Sequence, residues 1–141
     1  KLILSGGLEN KKYFRYIKNL SKDAGNIEIK EGLDNKEMLK LYENSKAIIF
    51  VPFIEDFGIV PFEALAAGKP IIAVDKGGYV DLIKNIPQYY PIKEEENEEK
   101  FVDNTVKTLK IFMNSKLKPR KIIINNLNPQ IFKKNLKEVF K

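Results

Sequence analysis

Glu55-Asp56-Phe57-Gly58-Ile59-Val60-Pro61-Phe62-Glu63-Ala64-Leu65-Ala66-Ala67-Gly68-Lys69-Pro70 lies between two apolar runs, residues 47–51 (AIIFV) and 70–74 (PIIAV). Neither run alternates polar with apolar, the pattern of a strand covered on both faces in a parallel sheet. Between them, Pro61 suits the first turn of a helix and Gly68 suits its end, so residues 61–67 are predicted to be helical. Strand, loop, helix and strand therefore follow one another within 28 residues.

The same alternation extends in both directions. Residues 2–5 form an apolar run ending in Gly6-Gly7, a strand-to-turn signature. Tyr13, Phe14, Ile17 and Leu20 recur at helical spacing, which predicts a helix over residues 9–24 stopped by Gly25. Ile27 and Ile29 mark a short strand closed by Gly32. Asp34 or Asn35 can cap the next helix, whose expected buried face is Met38, Leu39 and Tyr42. Lys76-Gly77-Gly78 opens a turn before a short helix at 79–84, and residues 89–92 read as a last strand. Residues 101–112 have helical periodicity, and two closing helices are expected at 119–126 and 129–140. The chain is thus expected to be a doubly wound, Rossmann-like α/β domain with a mostly parallel sheet over residues 1–141. Its first residues read as a strand already under way, which suggests the C-terminal half of a longer chain.

Composition narrows the chemistry. The 141 residues suffice for a real core, and the 43% hydrophobic content is ordinary for a globular protein. No apolar run approaches the ~18–20 residues of a bilayer span. Cys and His are both absent, which removes disulfides, thiolate metal sites and the commonest general base. The net charge of +6 comes from basic residues spread along the chain, not clustered with exposed aromatics, so a specific nucleic-acid reader is not expected. The Glu-rich segment 93–100 reads as a solvated loop or helix start.

In parallel sheets, ligands bind beyond the carboxyl ends of the strands, where residues 52–58 should lie. Gly58 allows close approach of the backbone. The N–H groups of Phe57, Gly58, Ile59 and Val60 are expected to be free of intrahelical partners and to present the positive helix end to an anion such as a diphosphate. Glu55 and Glu63 flank this point, eight positions apart. A carboxylate accepts hydrogen bonds from paired hydroxyls, so the two acids could hold the two sugar ends of a nucleotide-sugar. Alone, Glu63 is an ordinary first-turn acid, favoured by the helix dipole by about 0.3–1 kcal/mol, and Glu55 is an ordinary loop acid. Together with Phe57-Gly58 and the flanking strands they favour a site. Phe50, Phe53, Phe57 and Phe62 read as core. Lys69 and Lys76 read as surface residues within conceivable reach of a phosphate.

The stretch resembles the E-x7-E block of the retaining GT-B glycosyltransferases, in particular glycosyltransferase family 4, whose pattern runs E-G-F-G-L-x-x-x-E-A-M-A-x-G-x-P-V-V-A. Gly77-Gly78 with Asp81 is similar to that family's G-G-x-x-E segment. Residues 2–7 resemble its L-x-I-x-G-x-G strand and turn, and Gly32 with Glu37-Met38, Leu41-Tyr42 and Ala47 resembles the strand and helix before the motif. The resemblance implies the donor-binding half of a GT-B fold. It implies that Glu55 is the catalytic residue, contacting the donor sugar's hydroxyls, and that the amides of Phe57, Gly58, Ile59 and Val60 hold sugar and diphosphate. Glu63 would bind the ribose, Gly32-Leu33 would lie along the base, and Gly6-Gly7 would border the pocket.

A GDP- or UDP-sugar donor is implied, with mannose favoured because Asp56 stands where the family usually has Gly. The implied acceptor is a glycan or lipid-linked hydroxyl held by an N-terminal domain that these residues do not include, and the implied place is the cytoplasm, at or near a membrane's cytoplasmic face. No D-x-D metal motif is present, and neither metal nor cofactor is implied. The basic pair that neutralises the diphosphate in the family would lie upstream of Lys1, so these residues alone are expected to bind a donor weakly and not to transfer a sugar. In the complete enzyme, transfer with retention would proceed by same-face substitution, since no well-placed nucleophile is seen. The alternatives are a GT-B-fold nucleotide-sugar epimerase, which would want further acid–base residues, and a non-catalytic partner-binding module that keeps the fold.

Overall fold

The computed structural model describes residues 1–6, 10–52 and 55–117. The helices expected at 119–126 and 129–140 lie outside the described residues, as do Gly7 and Phe53. Two compact units are formed, one from Lys1 to Leu41 and one from Tyr42 onward.

In the first unit, β1 (Leu2–Gly6) and β2 (Ile27–Glu31) pair in parallel, with Leu4 opposite Ile29. Helix α1 (Lys11–Ala24) joins them. It starts two residues later than expected because the Asn10 side chain accepts from the Lys12 and Tyr13 amides, a side-chain N-cap. Gly25, at φ 67°, ends it. A two-stranded sheet covers little of a helix face: Phe14 and Ile17 are half-buried, whereas Tyr13 and Leu20 are exposed. Helix α2 (Asn35–Asn44) begins with a reciprocal cap, in which the Glu37 amide donates to Asp34 Oδ1 at 2.8 Å and the Asp34 amide to Glu37 Oε2 at 2.9 Å. Its inward face carries Met38, Leu41 and Tyr42, spaced i, i+3, i+4. Leu39 lies off that arc and is exposed, contrary to the sequence expectation.

In the second unit, β3 (Ile48–Phe50), β4 (Ile71–Val74) and β5 (Tyr89–Ile92) form a parallel sheet in that order. Ile48, Ile71 and Tyr89 stand level, so all three carboxyl ends lie on one edge. The four residues of the central strand β4 are all buried, as an unalternating apolar run requires. Burial of Ile71 and Ile72 alone is worth about 1.5–3 kcal/mol each. At the sheet edge, β3 is covered less than its sequence suggests, and Ile49 is 37% exposed.

Helix α3 (Ile59–Ala66) links β3 to β4, α4 (Val80–Ile83) links β4 to β5, and α5 (Glu98–Asn114) follows β5. Helix α5 docks on the sheet through Thr108, whose hydroxyl donates to the Pro91 carbonyl at 2.9 Å. The end of α3 is set by Gly68 at φ 76°. The Lys69 amide donates to the Ala64 carbonyl and the Gly68 amide to the Leu65 carbonyl, the paired bonds of a Schellman turn.

Candidate functional site: the loop after strand β3

Two loops meet at the carboxyl edge of the three-stranded sheet. The loop after β3 carries Glu55–Gly58, and the loop after β4 carries Asp75–Gly78. They are joined by the Gly78 amide, which donates to the Asp56 carbonyl at 3.0 Å. The approach leaves no room for side chains: a Cβ on Gly78 would stand 2.3 Å from the Asp56 oxygen, and one on Gly77 would stand 3.1 Å from the Glu55 oxygen. The Gly77-Gly78 pair is therefore the surface on which the Glu55–Gly58 turn rests.

Tyr79 completes that support. It is fully buried, its hydroxyl donates to the Val74 carbonyl, and its ring meets Phe50 edge-on at 5.7 Å. Val74 also accepts from the Tyr89 hydroxyl at 3.3 Å. Burial, and then the charges of Asp75 and Glu55, push the Tyr79 phenol up to about 12.

Helix α3 starts at Ile59, two residues earlier than expected, and Pro61 is its third residue. Proline is tolerated there because the first turn has no intrahelical acceptor for its missing N–H. Gly58 precedes the helix at φ 79° and supplies no side-chain cap. Glu55 does so instead. One of its oxygens, Oε1, accepts from the Gly58 amide at 2.7 Å and from the Phe57 amide at 3.2 Å. Two of the four amides expected to be free are thus already bound to a carboxylate. Among the described residues, the Ile59 and Val60 amides have no acceptor. The helix start holds an anion in this structure, and the anion is the protein's own.

Glu63 projects from the second turn of α3. Its Oε2 accepts from the Tyr42 hydroxyl at 2.7 Å. Burial, followed by the bond to Glu63 and its charge, holds the Tyr42 phenol well above its ordinary range. Phe57 is 47% exposed and touches Phe62, with ring centroids 5.3 Å apart, so it is not the core residue expected. Both lysines near the loops are engaged elsewhere: Lys69 Nζ donates to the Glu43 carbonyl at 2.7 Å and Lys76 to Glu94 at 2.6 Å.

Glu55, Phe57, Gly58, Ile59, Val60 and Glu63 all belong to the second unit. Gly6 and Gly32-Leu33 belong to the first: Gly6 is the last residue of β1 rather than part of a turn, and Gly32, at φ 61°, ends β2. Tyr42 and Tyr79 were not expected at the site. Both fall on helical, apolar patterns, and the bonds made by their hydroxyls carry no local sequence signal.

The family model described as "Glycosyl transferases group 1" matches residues 1–128. The chain is similar to the alpha-1,3/1,6-mannosyltransferase ALG2 of Candida glabrata, 29% identical over 97 residues, covering 67% of this chain and 19% of that protein. It is also similar to ALG2 of Homo sapiens, 31% identical over 90 residues, covering 58% of this chain and 22% of that protein. The chain thus spans about a fifth of the length of these curated relatives. Among solved structures, a chain of the "Crystal structure of GtfA/B complex" superposes with a TM-score of 0.69 at 17% identity, over 99% of this chain and 29% of that one, and so shares its α/β fold. The chain belongs to the group 1 glycosyl transferases.

Proposed function

We propose that this chain is the donor-binding domain, the C-terminal half, of a retaining glycosyltransferase that moves a sugar, with mannose favoured, from a nucleotide-diphosphate sugar to an acceptor hydroxyl. The observation that carries the reading is the turn from Glu55 to Gly58, which seats an anion on the amides that open α3 and is held against Gly77-Gly78. The donor's diphosphate, or a sugar hydroxyl, replaces the Glu55 carboxylate on the Phe57 and Gly58 amides, and the Ile59 and Val60 amides extend the same cradle. Glu55, once released, is free to accept from the sugar's hydroxyls. Glu63 accepts from the ribose. As the bond to the sugar breaks, charge builds on the departing diphosphate, and oriented amides stabilise it without reorganising.

Membership in the group 1 family and the likeness to two mannosyltransferases support this reading. They favour it over an epimerase or a partner-binding scaffold. A GDP-sugar is the favoured donor and a glycan or lipid-linked hydroxyl the acceptor, at the cytoplasmic face of a membrane. No helix among the described residues is long and apolar enough to cross one.

The test is titration of the intact protein with GDP, UDP and their sugars. Saturable binding of one nucleotide, weakened about tenfold or more by Glu63→Ala, supports the assignment, the loss being that of hydrogen bonds to a charged acceptor. A Glu63→Ala protein that binds as well as wild type removes the ribose role. Absence of any saturable nucleotide binding removes the function.

A further inference from the structure

We propose that Tyr42 positions the Glu63 carboxylate and thereby sets how strongly the site prefers a ribonucleotide, an inference that rests on the ribose role given to Glu63 above. An exposed glutamate samples many rotamers and is ordered at an entropic cost when a ligand binds. Glu63 is exposed, yet its Oε2 is fixed by the Tyr42 hydroxyl at 2.7 Å. Tyr42 is itself immobile: it is the one buried residue of α2, 7% exposed. Its carbonyl accepts twice from Ser45, from the hydroxyl at 2.8 Å and the amide at 3.2 Å. The next residue, Glu43, is tied through its carbonyl to Lys69 at 2.7 Å, just past the end of α3. The last turn of α2 is thus joined at two points, to Glu63 within α3 and to Lys69 just past its end.

An ionised carboxylate only accepts, so the bond at Oε2 must be donated by the phenol. The other oxygen, Oε1, is left for a ligand hydroxyl. A phenol is protonated at physiological pH even when free, since it ionises near pH ~10, and burial raises the Tyr42 hydroxyl further, so it stays a donor. A pair of vicinal hydroxyls then meets an acceptor already aimed, whereas a ligand lacking the 2′-hydroxyl gains little from that aim. The contact therefore bears on nucleotide affinity and sugar discrimination more than on the chemical step.

The experiment uses the intact protein with the pairs GDP/dGDP and UDP/dUDP, taking the pair that binds. Tyr42→Phe keeps the ring in the core and removes only the hydroxyl. Ribonucleotide affinity is expected to fall about tenfold, the factor for one hydrogen bond to a charged group, with deoxynucleotide affinity nearly unchanged. Donor KM rises and kcat does not. In a Glu63→Gln background, Tyr42→Phe adds no further loss of preference. A purely structural role would weaken both nucleotides equally and leave their ratio intact, so an unchanged ratio in Tyr42→Phe overturns the inference even if the melting temperature drops. If Glu63→Gln abolishes the preference while Tyr42→Phe does not, the ribose reading stands and the role of Tyr42 falls. If neither variant changes the ratio, or neither pair binds, both fall.

Discussion

The ring of Tyr79 lies directly against the α-carbon of Gly58, so close that a Cβ on Gly58 would stand 2.5 Å from Tyr79 Cδ1. Gly58 also sits at φ 79°, where an L side chain is strained. The ring cannot retreat cheaply, since its hydroxyl is bonded to Val74 and its edge meets Phe50. Gly58→Ala is therefore expected to lose about 2–3 kcal/mol from backbone strain and overpacking together. Chemical denaturation measures it, and a loss below half a kcal/mol would show that the turn relaxes freely.

Gly78 meets backbone where Gly58 meets a side chain. Its Cβ would press on the Asp56 carbonyl, which has no rotamer to change. Gly78→Ala should separate the two loops and break the bond from the Gly78 amide to Asp56. Nucleotide affinity is expected to fall by an order of magnitude or more, because misplacing the amides of a preorganised site is costly. Isothermal titration reads the effect; wild-type affinity would mean that the anion site does not depend on the Gly77-Gly78 support.

The strand–helix–strand unit around Glu55–Pro70 was legible because a covered central strand has no polar residue to spare, and Ile71–Val74 show it. The start of α3 was misplaced by two residues for a simple reason. Proline marks a first turn but fits any of its early positions, and here the turn begins at Ile59. The acid pair was visible as a spacing. The occupant of the amides was not, since a carboxylate four residues before a helix can face solvent or fold back, and Glu55 folds back. Tyr42 and Tyr79 act through bonds to Glu63 and Val74, the first of them 21 positions away. Tertiary contacts of that kind leave no periodicity to find.

The Glu55 bond to Phe57 and Gly58 predicts an uncommon result for removing an acid. In Glu55→Ala the two amides no longer carry a resident anion, so a nucleoside diphosphate need not displace one. A helix-capping carboxylate is worth about 0.5–2 kcal/mol, which sets the expected gain at about two-fold to thirty-fold tighter binding of the free diphosphate. On the role proposed for Glu55, turnover should fall sharply in the same protein, because the sugar would lose its acceptor. Weaker diphosphate binding together with unchanged turnover would contradict both halves of the prediction.

Buried phenols also make the fold sensitive to base. Burial and nearby carboxylates push Tyr79 up to about 12, and burial holds Tyr42 and Tyr89 above the ordinary tyrosine range. In the unfolded chain a tyrosine ionises near pH ~10. Between pH 10 and about 12 the native state therefore holds the Tyr79 proton while the unfolded state has lost it, and stability falls as pH rises. The contribution is fully present below pH ~10 and gone above the folded value. Denaturation midpoints measured from pH 9 to 12 should decline, with phenolate absorbance growing as the chain unfolds. Tyr79→Phe is expected to start less stable by about 1 kcal/mol, the lost bond to Val74, yet to decline less steeply over that interval. Parallel curves for the two proteins would assign the alkaline loss to groups other than Tyr79.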